Sequence, residues 1–146
     1  MLAVIRRHVH AFSNVEFDWL ACDADGFVAV FSSAGFGPVP EELVAMVEAV
    51  DAALDRIKAL PVRAESAPAD PDERRPAAYG LFAFDWTHAR DRYEIEASPE
   101  RPLRIDEIQD EEIRAMVSRV RVPVRFSQLR WIDWDDAGDL SSGAEP

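Results

Sequence analysis

The sequence has one cysteine, one lysine and no long apolar stretch. The first shortage excludes an internal disulfide, and the last argues against a signal peptide and a membrane span. Cys22 is the single cysteine among 146 residues, so no internal disulfide can form, which is typical of a reducing compartment. The apolar residues after Met1 give way to Arg6 and Arg7 too soon for a signal peptide, and no later run approaches the ~20 apolar residues of a membrane span. We therefore expect a soluble, cytoplasmic protein.

Positive charge is also scarce. The chain has 16 Lys and Arg residues against 28 Asp and Glu residues, which gives a net charge of −12 at neutral pH. Surfaces that bind phosphate groups need clustered basic side chains, so this balance argues against nucleic acid and anionic membranes as partners. A protein partner with a basic surface is the natural expectation.

The segment "LACDADGFVAVF", residues 20–31, places the "DADG" tetrapeptide (23–26) between two apolar runs, and three interpretations compete. A phosphatase nucleophile loop of the haloacid-dehalogenase type needs a small residue where Phe27 stands, and it does not continue directly as a strand. A calcium-binding EF-hand loop needs acidic ligands at its first and last positions, where this chain has Ala21 and Ser32. An Asp-Gly pair between apolar runs is a strong hairpin signal, and we predict a hairpin turn.

Hydrophobic periodicity predicts two hairpins around one long helix. Alternating apolar and polar residues indicate β-hairpins at 15–33 and 77–97. Between them, apolar residues at helical spacing predict a helix from about residue 41 to residue 60, which Pro61 ends. Residues 61–76 lack any apolar period and are predicted to be an exposed loop.

The last third of the sequence predicts a shorter helix and one more strand. Asp110 can cap a helix that has Glu111 in its first turn. Residues 120–126, "VRVPVRF", alternate like an edge strand that contains a proline, and the acidic tail 133–146 is expected to fray. Residues 1–132 are thus predicted as one α+β domain, with a mainly antiparallel sheet of four to six strands packed against one long and one short helix.

Candidate catalytic and metal-binding residues are few. His8 and His10 would project to one side of an extended segment, and His88 with a carboxylate would complete a metal site, but no second ligand cluster has matching spacing. We therefore predict ordinary surface histidines and no metal. Cys22 as a nucleophile would need partners that sequence does not place, so we predict a buried strand cysteine. With no catalytic residue and no cofactor predicted, the chain is not expected to be an enzyme.

Three acidic groups and two tryptophans form the predicted partner-binding set. Its members are Glu48, Asp51 and Asp55 in the long helix, Asp110 and Glu111 at the start of the short helix, and Trp131, Asp133, Trp134 and Asp135 near the C-terminus. Complementary charge raises the rate and specificity of association, and tryptophans concentrate binding energy at interfaces. The alternative is that each acidic group is a solvated face and that the tryptophans pack on the edge of the core.

Several segments of the chain carry a resemblance to known proteins. They are "FDWLACDADGFVAVFSSAGFGPVP", "GLFAFDW…YEIEASPERPL" and "VRVPVRFSQ", and the triplet "FDW" occurs in two of them, at 17–19 and 84–86. The chain resembles a group of small uncharacterised proteins from GC-rich bacteria over most of residues 15–127. In organisation, size and acidity it is also similar to the cytoplasmic immunity proteins that neutralise polymorphic or contact-dependent toxins.

This resemblance implies a non-enzymatic inhibitor that covers the basic active site of a cognate nuclease or similar toxin. The resemblance is one of type, so it carries no functional residue across. The competing class is a small-molecule-binding or enzymatic α+β domain, with Arg119, Arg121 and Arg125 receiving an anion between sheet and helix. The oligomeric state stays open.

Overall fold

In the computed structural model, which describes residues 7–10 and 14–146, eight strands form two sheets beside three α-helices. The strands are β1 (His8–Val9), β2 (Asp18–Cys22), β3 (Val28–Ser32), β4 (Val39–Pro40), β5 (Phe82–Thr87), β6 (Arg92–Ala97), β7 (Trp131–Trp134) and β8 (Leu140–Gly143). The helices are α1 (Glu41–Val44), α2 (Val47–Ile57) and α3 (Glu111–Ser118). None of the helices in the described ranges has the length and apolar character needed to cross a bilayer.

The main sheet has six strands in the order β2-β3-β5-β6-β7-β8, and β1 pairs with β4 in a small second sheet. Every neighbouring pair is antiparallel except β3 with β5, which run parallel with Phe31 opposite Phe84. The predicted α+β class and mainly antiparallel sheet are confirmed. Both predicted hairpins are present, as β2–β3 and β5–β6.

The turn of the first hairpin is built around the carboxylate of Asp23, which is fully buried. Its Oδ1 accepts hydrogen bonds from the backbone N–H groups of Asp25 (3.0 Å) and Phe27 (2.9 Å). Its Oδ2 accepts one from the distant backbone N–H of Phe126 (3.0 Å). The "DADG" segment is therefore the predicted hairpin turn, and its first aspartate holds the backbone together instead of facing a substrate.

One face of the sheet encloses an aromatic core. Phe31 stacks between Trp19 (4.4 Å between ring centroids) and Phe84 (4.9 Å), and all three side chains are fully buried. Trp134, on β7, lies 5.5 Å from both Trp19 and Phe31. Because β2 and β7 lie far apart in the strand order, this contact requires the sheet to curl around the core.

The two longer helices, α2 and α3, pack against each other and against β2, at one end of the strand order. The predicted long helix over 41–60 is wrong in one respect, because the structure divides it into α1 and α2. The N–H of Met46 bonds to the carbonyl of Leu43, only three residues back, and this tighter turn separates the two helices. The short helix α3 begins as predicted, since Asp110 accepts hydrogen bonds from the N–H groups of Glu112 (3.0 Å) and Ile113 (3.2 Å).

The second hairpin starts later than residue 77. Residues Pro76–Tyr79 form a 3-10 turn that ends at Gly80, and β5 begins at Phe82. Gly80 has a φ of 93°, and a Cβ there would lie 2.8 Å from the Cβ of Leu103 and 2.9 Å from the carbonyl of Arg101. A residue with a side chain fits neither this backbone conformation nor this space.

Residues 120–126 lie beside the outer edge of β2 but do not form the predicted regular strand. The backbone of Cys22 exchanges hydrogen bonds with the carbonyl of Val120 (2.9 Å) and the N–H of Val122 (2.8 Å), in a single parallel bridge. Pro123 then lacks the N–H that would continue the ladder. The predicted edge position of this segment is confirmed, but the prediction of a regular strand is wrong.

The C-terminal segment also departs from expectation. Residues 133–146 are predicted to fray, but β8 pairs with β7 through Ser141 opposite Asp133 and Leu140 opposite Trp134. The connecting turn is held by Asp135, whose Oδ1 accepts hydrogen bonds from the N–H groups of Ala137 (3.0 Å) and Asp139 (2.8 Å). The acidic residues that suggest a solvated tail thus form a turn.

Candidate functional site

The two C-terminal tryptophans lie on opposite faces of the sheet, because side chains alternate along a strand. Trp131 is half-buried on the face away from the aromatic core, with the guanidinium of Arg92 4.7 Å from its ring centroid. Trp134 is 6% exposed and stacks on His8, with 4.6 Å between ring centroids. The predicted pair of aromatic anchors is therefore split between a surface position and a core position.

A cleft of about 370 Å³ opens where β7 passes the turn between β5 and β6. Its lining residues, which define the acidic cleft, are His10, Phe36, Trp86, His88, Asp91, Asp133 and Trp134. They come from four separate segments of the chain. The predicted residues Asp133 and Trp134, which are neighbours in the sequence, both line the cleft, and the fold adds five residues from outside the predicted set.

The walls of the acidic cleft are aromatic. Trp86 and Trp134 are 9% and 6% exposed, so their rings are held firmly by the core, whereas Phe36 is 40% exposed. The Phe36 ring lies edge-on to His88, with 4.3 Å between centroids. The Nδ1 of His10 donates a hydrogen bond to the carbonyl of Phe36 (2.6 Å), which ties the N-terminal segment to the loop before β4.

The same cleft has two carboxylates and no basic side chain other than its two histidines. Asp91 is exposed in the β5–β6 turn, at a φ of 49°. Asp133 has one carboxylate oxygen, Oδ1, that is buried with no hydrogen-bond partner among the described residues. Burial, with a further contribution from the negative charges of Asp91 and Asp135, raises the pKa of Asp133 above its ordinary value. The backbone N–H of Trp134 and the charge of His10 act in the opposite direction, but burial prevails.

The loop that carries Phe36 is fixed to the sheet by Tyr93 on β6. The hydroxyl of Tyr93 donates a hydrogen bond to the carbonyl of Pro38 (2.8 Å) and accepts one from the indole Nε1–H of Trp19 (3.3 Å). A Cβ at Gly37 would lie 2.6 Å from the Tyr93 hydroxyl oxygen, so the backbone approaches the ring as only glycine permits. The acidic cleft is consequently preorganised.

A second group of carboxylates lies on the outer face of the sheet, around a cavity of about 210 Å³. Asp18 is opposite Ser32 in the β2–β3 pair, and Ser32 is opposite Asp85 in the β3–β5 pair, so the three form a row. Burial and a hydrogen bond with Glu96 raise the pKa of Asp85 to about 6. Glu96 also pairs with Arg75 (2.8 Å). We name Asp18, Asp85 and Glu96 the carboxylate row.

The acidic residues predicted on the helices lie away from the acidic cleft. Glu48, Asp51 and Asp55 are exposed on α2, at the β2 end of the strand order. Asp110 is occupied in capping α3 and in a 2.7 Å contact with Arg56 on α2. Glu111 is exposed at the start of α3. In the structure, the predicted set is divided. Its five helix residues lie on α2 or at the start of α3, Asp133 and Trp134 line the cleft, and Asp135 lies in the turn next to it. Trp131 lies on the opposite face of the sheet from Trp134.

The other candidate chemistry is placed as follows. Among the described residues, no three His, Cys, Asp or Glu side chains are arranged to hold a metal ion. His8 is a buried residue, which corrects the expectation of a surface histidine. Cys22 is fully buried, as predicted, and burial raises the pKa of its thiol, which disfavours the reactive thiolate.

Two of the three arginines proposed to receive an anion contact the first hairpin, and the third, Arg119, is exposed. Arg121 donates to the carbonyls of Asp23 (3.2 Å) and Ala24 (3.4 Å). Arg125 pairs with the carboxylate of Asp25 at 3.1 Å. These contacts reinforce the turn.

Comparison of the chain with models of protein families, with curated proteins and with solved structures found no significant match.

Sequence reasoning missed most of the acidic cleft because no local spacing links its segments. Phe36 lies in a loop of small residues, and Asp91 lies in a turn. The carboxylate row did leave a signal, since Asp18 and Asp85 are the central residues of the two "FDW" triplets. In both triplets the aromatic residues face the core and the aspartate faces outward, so the repeated triplet reflects a repeated strand environment.

Proposed function

We propose that this protein is a non-enzymatic binding protein of the immunity type, which neutralises a cognate bacterial toxin by covering a basic surface. The observation that carries this proposal is the acidic cleft, where Asp91 and Asp133 adjoin a wall of aromatic rings in a chain of net charge −12. Interfaces that bind tightly combine aromatic anchors with charges that complement the partner. The cleft supplies both, and its walls are fixed before binding.

The mechanism is occlusion, with no bond made or broken in the partner. The negative field of the whole chain accelerates encounter with a basic surface, and short-range contacts in the cleft then fix the orientation. A nuclease active site is the natural target, because it must be basic to receive phosphate groups. Once it is covered, its substrate has no access.

The test is an identified partner and its inhibition. The purified chain serves as bait in a lysate of the source organism at low salt, and a basic protein eluted by raising the salt is then expressed by itself. We expect the chain to bind it with an affinity that falls from about 0.05 to 0.5 M NaCl, and to restore growth of cells that produce it. Binding that is insensitive to salt, or binding without protection, would contradict the proposal.

A second candidate function rests on the carboxylate row. Two carboxyl groups that share a proton in a cleft are a common arrangement for proton transfer, and the raised pKa of Asp85 fits a general acid or base. The row would then serve a small-molecule substrate with a group that takes up or releases a proton. A ligand retained in native mass spectrometry by the wild type and lost in Asp85→Asn would favour this candidate.

A further inference from the structure

The acidic cleft has the composition of a site for one organic cation. Phe36 is 40% exposed there, whereas Trp86 and Trp134 are 9% and 6% exposed. A cation over the face of such a ring, within roughly 6 Å of its centroid, is attracted by the ring quadrupole. Asp91 and Asp133 add two negative charges at the same cleft. Asp133 is half-buried, and its Oδ1 is covered and has no hydrogen-bond partner among the described residues, so a donor in the cleft reaches this atom only when the side chain rotates.

Carboxylates beside aromatic rings favour a planar cation that donates several hydrogen bonds. A guanidinium group stacks on aromatic faces and donates to carboxylates in a fixed fork, whereas an ammonium is a compact, strongly hydrated point charge. Arginine is also weakly hydrated, so its transfer from water into an aromatic cleft costs less. The cavity of about 370 Å³ has room for this side chain.

We propose that the acidic cleft receives the guanidinium group of one arginine side chain on the partner's basic surface, an inference that rests on the proposed function and names the group recognised. The arginine lies among the aromatic rings and donates to the carboxylates of Asp91 and Asp133. It is the anchor of the interface, and the remaining acidic surface steers the approach.

The test uses a short peptide, so that it does not depend on finding the partner. The blocked tripeptide Gly-Arg-Gly is titrated into the ¹⁵N-labelled protein at neutral pH, and the indole N–H signals of the four tryptophans are followed. We expect saturable shifts at Trp86 and Trp134 in the millimolar range and smaller ones at Trp19 and Trp131. The same peptide with citrulline, which keeps the shape and lacks the charge, is expected to bind at least about tenfold more weakly.

Two variants and one matched control locate the site. Asp133→Asn removes the central carboxylate, and Asp91→Asn removes the other at a backbone conformation that asparagine adopts readily. Each is expected to weaken peptide binding about tenfold, while Asp72→Asn, which removes the same charge from an exposed residue that does not line the cleft, leaves it unchanged. The dispersion of the ¹⁵N spectrum shows that each variant is folded.

The outcomes separate the two proposals. Equal binding of the citrulline peptide, stronger binding of a lysine peptide, or shifts that both asparagine variants leave intact would overturn the arginine site. Peptide binding that depends on Asp91 and Asp133 supports the site even when no toxin is captured, in which case the proposed function alone fails. A captured toxin whose affinity is unchanged by both variants would retain the function and reject the cleft as its anchor.

Discussion

The turn at residues 23–27 and the acidic cleft show two opposite uses of a buried carboxylate. Asp23 is fully buried, and both of its oxygens accept backbone hydrogen bonds, so its charge is compensated within the fold. Asp133 is half-buried, and one of its oxygens has no partner among the described residues. Each aspartate lies next to apolar residues of a strand in the sequence. The sequence alone therefore does not show which of the two carboxylates has hydrogen-bond partners. A structural carboxylate is thus distinguished from a candidate binding carboxylate by whether its oxygens have hydrogen-bond partners within the fold, and not by its burial.

The largest expected loss of stability comes from removing the carboxylate of Asp23. Asp23→Ala leaves the buried N–H of Phe126, and the N–H groups of Asp25 and Phe27, without their acceptor. We expect a loss of about 3 kcal/mol or more in the free energy of unfolding, since each buried unsatisfied donor costs roughly 1–3 kcal/mol. Urea denaturation followed by tryptophan fluorescence measures the change.

The matched control is Asp25→Ala in the same turn. Asp25 pairs with Arg125 at 3.1 Å, but both side chains are substantially exposed, at 41% and 58%. Exposed ion pairs contribute up to about 1 kcal/mol, so this variant is expected to lose less than that. Equal losses for the two variants would show that the turn, and not the Asp23 carboxylate, sets the stability.

Two buried tyrosine hydroxyls, one with and one without hydrogen-bond partners, give the same contrast with a smaller expected change in stability. Tyr93→Phe removes the donor to Pro38 and leaves the indole N–H of Trp19 without an acceptor, so we expect a loss of roughly 1–3 kcal/mol. Tyr79 is also buried, but its hydroxyl has no partner in the described part of the chain. Tyr79→Phe is therefore expected to be neutral or stabilising, and thermal unfolding of both variants checks the pair.

The carboxylate row extends the comparison to pH. Asp85 has a folded-state pKa of about 6, above its ordinary value, so the folded protein binds more protons than the unfolded chain between about pH 4 and 6. Its contribution to stability is therefore lost as pH rises through this window. The advantage of Asp85→Asn over the wild type in urea denaturation should grow from pH 4 to pH 7.

Glu94 is the control of opposite sign for this measurement. Burial opposes its ionisation, but hydrogen bonds from Arg92 and Thr87 prevail and hold its pKa below the ordinary value. Its stabilising contribution is present above that ordinary value and is lost as pH falls, so Glu94→Gln should be most harmful near neutral pH. A difference between Asp85→Asn and the wild type that does not change with pH would contradict the proposed proton sharing.

The smallest expected effect on stability is that of Asp133→Asn. The raised pKa of Asp133 means that its ionised form is disfavoured in the folded protein near neutral pH, so the neutral isostere should leave the Tm unchanged or raise it slightly. We expect a change within about 1 kcal/mol, measured by thermal unfolding at neutral pH. A large loss would place Asp133 with Asp23 among the structural carboxylates.

The sequence predicted what local patterns determine. The Asp-Gly turn, the alternation of the two hairpins and the Asp110 cap each depend on a few neighbouring residues, and each is present. The parallel β3–β5 pair and the contact of Trp19 with Trp134 depend on segments far apart in the chain, and no local period indicates them. The C-terminal turn was missed because its aspartates look alike whether they are solvated or accept backbone hydrogen bonds.

For the candidate site, the sequence placed Asp133 and Trp134 in a partner-binding set but did not show what surrounds them. The cleft needs Phe36 from a loop, Trp86 from β5 and Asp91 from a turn, and only the curl of the sheet brings these together. Net charge, in contrast, is independent of the fold, so the expectation of a basic partner follows from composition alone. Composition thus supports the proposal of a basic partner, and the fold supports the proposed place of contact.

The stacking of His8 on Trp134 has a consequence for the order of events in folding. These residues are far apart in the sequence, and the segment that joins them must close into a loop before the two rings stack, at an entropic cost that grows with its length. During synthesis the earlier strands emerge with their aromatic faces incomplete, and the last side of the core is added only when β7 has left the ribosome. Such late, non-local closure is characteristic of slow folding, so nascent chains would expose aromatic surface longer than the finished fold suggests.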